Sequence, residues 1–127
     1  MYYKGDILLP LAKVRRKNWL NGLYHSAVVW DDYNDGSSDF NGIMLTHSPP
    51  NIFFHNIIMA PNHFESGHQI IFDNTHFVNQ IFIKFMNWGP FDIVGRLTSD
   101  GITFIETNLT HHLNPIEFAT YHQLSKV

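Results

Sequence analysis

The chain contains no cysteine, which excludes disulfide scaffolds, iron–sulfur clusters, thiol catalysis and cysteine-based zinc sites. Charge is scarce: 15% of the residues are Asp, Glu, Lys or Arg, and the formal net charge is −3. A balance of that sign gives no general attraction to a phosphate backbone. Long apolar runs are missing too. Stretches such as 27–30 end after four residues, against the ~20 that a membrane-spanning helix needs. The opening Tyr2-Tyr3-Lys4-Gly5-Asp6 leads into an apolar stretch broken at Pro10, shorter than the core of a secretory signal, so the cytoplasm is the expected location. There is no internal repeat and no low-complexity tract.

What is present is a core-forming composition. The 127 residues are 44% hydrophobic, with eleven Phe, five Tyr and three Trp, which contradicts disorder and predicts one globular domain over the whole length. Four of the eight basic residues, Lys13, Arg15, Arg16 and Lys17, fall within five positions, so the basic charge is local. Histidine is over-represented at nine residues, which invites metal or acid–base readings.

Apolar runs punctuated by turn formers predict strands over 5–11, 25–31 and 43–47, then short ones over 57–60 and 69–72. The segment between the first two, 12–23, carries the basic cluster and has no stable period, as in a long mobile loop. Over 75–85 apolar and polar residues alternate, with Phe77, Ile81, Ile83 and Phe85 on one face, which marks the clearest strand. A last strand over 91–97 contains Gly95, as a bulge or a close approach. Ser99-Asp100 opens a helix with Ile102, Ile105 and Leu109 at helical spacing. Asn114-Pro115 starts a second, short helix to about residue 124. Many short strands followed by helix predict a mainly β fold, a small β-barrel with one or two C-terminal helices.

The order of these motifs resembles the MazF/PemK family, the growth-inhibiting endoribonuclease toxins of bacterial toxin–antitoxin pairs. Lys4-Gly5-Asp6-Ile7-Leu8-Leu9 is similar to that family's opening strand, and His25-Ser26-Ala27-Val28-Val29 stands where the family has Arg-Pro and an apolar strand. Leu45-Thr46-His47-Ser48 resembles its third-strand ending, the strand with Gln80 resembles the one that carries a Gln before an Arg, and Ile93-Val94-Gly95-Arg96-Leu97-Thr98-Ser99 resembles the run into the last helix. The resemblance implies an SH3-like barrel, a cytoplasmic homodimer, a protein antitoxin as partner, and metal-independent cleavage of single-stranded RNA without a cofactor. The sequence departs from the family at the chemistry: the catalytic Arg falls on His25, its Pro on Ser26, and the Arg after Gln80 on Phe82, while the Thr is kept as Thr46.

Cleavage of RNA without a metal needs a base for the 2′-hydroxyl, an acid for the leaving 5′-oxygen and donors for the phosphoryl oxygens. His25 and His47 are the candidate base and acid, because an imidazole pKa of ~6.5 lies close to working pH. Thr46 is the candidate hydrogen-bond donor, and Arg15, Arg16 and Lys17 are the candidate RNA-binding cations. Gln80 either orients a phosphate or satisfies buried backbone. Phe82 either stacks a base or fills the core. Each of these residues also has a plain structural reading as a strand end, a β-former or a solvated loop. His55, His63, His68 and His76, with Glu65 and Asp73, are spaced in no recognised zinc pattern, so no metal is expected. The alternative in another functional class is a non-catalytic relative of the same fold that binds a protein or peptide. Poisoning of DNA gyrase, by analogy with the CcdB family, is a third.

Overall fold

The computed structural model describes residues 2–11, 25–32, 40–47, 50, 55–68, 70–82, 90–110 and 116. Among these residues six strands, β1 (Asp6–Pro10), β2 (Ala27–Asp32), β3 (Phe40–Thr46), β4 (Ile57–Ile58), β5 (His76–Phe77) and β6 (Phe91–Arg96), precede one α-helix, α1 (Ser99–Asn108). They form one sheet in the order β4-β5-β3-β2-β1-β6, and every pairing in it is antiparallel. The strands read as continuous apolar runs because both faces of the sheet are covered. Ile7, Val28, Trp30, Ile43, Leu45, Phe77 and Val94 pack with Ile105 and Leu109 in one cluster. Their alternates Leu8, Ala27, Val29, Phe40, Met44, Val78 and Phe82 form a second. Period-2 geometry sends these two sets to opposite faces, and each fully buried large side chain contributes about 1.5–3 kcal/mol.

The chain is thus mainly β with a helix after the strands, as expected. Among the described residues the sheet is not closed into a barrel. Its edges are β4 and β6, and the chain beyond β4 reaches β6 through an isolated bridge from Phe64 to Leu97. Glu65 N–H donates to the Arg96 carbonyl at 2.8 Å and Thr98 N–H to that of His63 at 3.0 Å.

Three local expectations change or sharpen. Residues 70–72 form no strand. Ile71 is 89% exposed, and Phe72 instead stacks on Phe64 with centroids 4.8 Å apart. Among its described residues, the alternating segment is a regular strand only over His76–Phe77. Between the pairs Leu45–Phe77 and Gly42–Phe82 it advances five residues against three on β3. That surplus is absorbed where Gln80 N–H turns back to the Val78 carbonyl at 2.7 Å, a bulge that regular alternation conceals. Gly95 is the close approach, and the bulge falls beside it. The β1–β6 register skips Val94, and a Cβ at Gly95 would meet Phe72 Cε2 at 2.7 Å. The loop over 12–23, the residues of the alternating segment beyond 82 and, apart from Ile116, the terminal helix over 114–124 lie outside the described residues.

The helix starts where its chemistry allows. Thr98 caps it, with Oγ1 accepting from Gly101 N–H at 3.1 Å and donating to the Asn62 carbonyl at 2.8 Å. Its first turn is fastened to a 3-10 turn, Pro61–His63, through the His63 ring, 9% exposed. That ring stacks on Phe104 with centroids 4.4 Å apart, and its Nδ1 accepts from Ala60 N–H at 2.9 Å. A nitrogen that accepts carries no proton. Burial lowers the His63 pKa, and Asp100 opposes the shift in part.

The unfolded chain therefore takes up a proton near His63's ordinary ~6.5 while the folded chain resists it. The stability that His63 contributes is complete above that value and is lost as pH falls through the lowered folded value. In urea titrations the parent loses stability from pH 7.5 to 5.5, and His63→Asn, which keeps an acceptor without a titrating ring, has a shallower slope. Equal slopes would remove His63 as a source of the acid sensitivity.

Candidate active site

The ends of β1, β2 and β3 meet a returning segment, 70–75, around a cleft of about 420 Å³. Its polar side is His25, Ser26, Thr46, His47 and Thr75, and its apolar side is Leu9, Leu45, Ile70, Ile71 and Phe72. The sheet itself positions the first group. Leu45 N–H donates to the Ser26 carbonyl at 2.8 Å, so the β2–β3 ladder continues past Ala27 and holds the approach to His25. Thr46, 8% exposed, ends β3 opposite His76 of β5.

His47 is the first residue beyond β3, and it is exposed. Its Nδ1 lies 3.3 Å from the Asn74 carbonyl. A carbonyl only accepts, so this contact is a hydrogen bond when Nδ1 carries the proton, which leaves Nε2 for chemistry. The Asn74 backbone is left-handed, with φ of 50°, a conformation that Asn tolerates better than most residues. The 73–75 turn that aims this carbonyl is braced by Thr75 Oγ1, which donates to the Asp73 carbonyl at 3.3 Å.

His25 is half-buried. Burial lowers its pKa, and the nearby charge of His47 lowers it further. A proton on His25 is thus disfavoured both by lost hydration and by a like charge. At neutral pH its imidazole is neutral, the state a general base requires, beside a second imidazole able to carry a proton. Such a pair, with hydroxyls beside it, is equipped for proton transfer to and from a bound hydroxyl or ester oxygen.

His25, Thr46 and His47 share one cleft. Gln80 is not among its lining residues; its Nε2 donates to the Ile81 carbonyl at 3.0 Å, in the bulge. Phe82 is fully buried and belongs to the core. Arg15, Arg16 and Lys17 lie outside the described residues, and no described Lys or Arg lines the cleft. The apolar wall of 70–72 escapes a reading of the sequence, where the same residues look like a strand. Ser26, Thr75 and Asn74 carry no signal that sets them apart from ordinary turn residues.

The other described histidines are dispersed. His68 Nε2 pairs with Glu65 Oε1 at 3.2 Å, His63 is locked into its turn, and His76 belongs to β5 with a buried Nδ1 that has no partner among the described residues. Among the described residues no three His, Asp or Glu side chains are grouped to hold a metal ion. No described helix is long and apolar enough to cross a membrane. No known family model matches the chain, and neither a curated protein nor a solved structure matches it.

Proposed function

We propose that this chain is a metal-independent endoribonuclease of the toxin type, acting on single-stranded RNA in the cleft of His25, Thr46 and His47. The observation that carries the reading is that two histidines 22 positions apart in sequence line one cleft, where His25 is held neutral at physiological pH. In the proposed reaction His25 takes the proton of a ribose 2′-hydroxyl as the 2′-oxygen bonds to phosphorus. The bond from phosphorus to the 5′-oxygen breaks, and His47 supplies the proton that oxygen needs. The products are a 2′,3′-cyclic phosphate and a 5′-hydroxyl. Thr46 donates to a phosphoryl oxygen, and Arg15, Arg16 and Lys17 are the cations that offset the phosphate charge. The order of motifs along the chain adds a homodimer and a neutralising antitoxin to this reading.

Purified protein incubated with single-stranded RNA in excess chelator cleaves it and leaves 2′,3′-cyclic phosphate ends. Cleavage that returns only when zinc or magnesium is restored overturns the metal-independent mechanism. The absence of any cleavage by a preparation cleared of contaminating nuclease overturns the enzyme reading. One observation favours the alternative, a protein- or peptide-binding module: the cleft pairs a five-residue apolar wall with no described cation. On that reading the same experiment gives intact RNA.

A further inference from the structure

The segment 70–72 has two sides. On the far side of the wall that bounds the histidine cleft lies a second one, of about 320 Å³, and Ile70, Ile71 and Phe72 line both. Ile71 is 89% exposed, more than any other large apolar side chain among the described residues. A side chain so placed is covered only when something lies across the shared rim. Behind it Phe72 and Phe64 are stacked ring on ring, with planes 15° apart, and both rings line the second cleft.

The polar rim of this cleft is Glu65, Ser66 and His68. Glu65 is held from two sides: Oε1 accepts from His68 at 3.2 Å, and Oε2 lies 3.8 Å from Arg96 Nε. Arg96 is itself anchored by its ion pair with Asp6. The result is a carboxylate fixed at the rim of an apolar slot. Its negative charge repels a phosphate, whereas its free lone pairs accept from the N–H groups of a nucleobase. Carboxylates recognise bases in this way, and an aromatic lining packs against an unstacked base.

We infer that the second cleft is the site for a guanine base next to the scissile phosphate, read by the Glu65 carboxylate and packed between Ile71 and Phe72. Guanine is the base whose pairing edge presents two adjacent donors, N1–H and the 2-amino group, to the two oxygens of one carboxylate. Cytosine and adenine present one amino group beside an acceptor, and uracil presents no amino group. The inference rests on the reading that RNA runs through the histidine cleft.

The test reads binding as well as cleavage. Short RNA strands carry a 2′-deoxy nucleotide at the scissile position, which blocks internal transfer, and guanine, inosine, adenine or uracil on either side of it. Fluorescence anisotropy with the parent gives tightest binding with guanine, weaker with inosine, which lacks the 2-amino group, and weakest with uracil, over a range of about tenfold or more. Glu65→Gln collapses the preference for guanine over adenine, and Ile71→Ala weakens binding of every base at that position. Both residues are exposed, so neither substitution threatens the core. Binding with this preference by a chain that cuts no RNA overturns the nuclease and leaves the base site standing. Cleavage with the same base preference in the parent and both variants overturns the base site alone. Absence of RNA binding overturns both.

Discussion

Gly101→Ala unfolds at a temperature about 10 °C below the parent, from a loss of about 3 kcal/mol. The direction is the reverse of the usual one, because Ala in place of Gly inside a helix ordinarily gains about 0.5–1 kcal/mol. Here a Cβ would stand 2.2 Å from the carbonyl oxygen of His63. That oxygen cannot retreat cheaply. It accepts from Thr98 N–H at 3.0 Å, and the His63 ring is clamped between Ala60 and Phe104. Relief of the clash must separate α1 from the 3-10 turn and break the cap at Thr98. Thr103→Ala, at an exposed position of the same helix, is the control, and it stays within a few tenths of a kcal/mol of the parent or gains. Thermal melts followed by circular dichroism compare the two. A Gly101→Ala protein as stable as the parent would mean that the helix and turn do not meet as closely as this.

His25→Ala lowers RNA cleavage by on the order of 10²-fold or more, equivalent to ~2.7 kcal/mol of transition-state stabilisation, while the far-ultraviolet spectrum is unchanged. The size follows from the proposed role as base, since the methyl group left behind cannot take the 2′-hydroxyl proton. The pH profile separates this role from a structural one. With its pKa lowered by burial and by His47, His25 loses its proton below the ordinary imidazole value of ~6.5. Cleavage therefore rises on the acid side of that value. His25→Arg restores a fixed positive charge for the phosphoryl oxygens without a base, because guanidinium does not titrate in this range. It recovers part of the loss and abolishes the acid limb. A His25→Ala protein that cleaves as fast as the parent removes the assignment, and the cleft is then a binding surface.

The sequence by itself determined the parts of the molecule that depend on neighbours along the chain. Runs such as 27–30 and 43–45 are apolar at consecutive positions, and a strand so composed must bury both faces. The two clusters on either side of the sheet meet that demand. Ser99-Asp100, with Ile102, Ile105 and Leu109 at helical spacing, specifies a helix start and a buried stripe, and the cap itself falls one residue earlier, on Thr98. His25, Thr46 and His47 were recognisable as polar residues at strand ends.

Only the tertiary structure decided which strand ends meet. His25 and His47 come together because β2 and β3 pair in one register, and burial at that place, then the charge of His47, lowers the His25 pKa. Residues 70–72 look like a strand and become a wall, since a strand exists only where a partner offers a free ladder. Here Phe72 is drawn to Phe64 and onto Gly95 instead. The bulge between Phe77 and Phe82 hides from a period-2 reading, because alternation records which residues are apolar and not how many face each residue of the partner strand. Gly101 weakens a helix when judged by propensity, yet the helix packs only because that position has no side chain. Closure of the sheet, too, is a long-range outcome: the chain beyond β4 reaches β6 by a single bridge, and no local pattern specifies the distance between two edges.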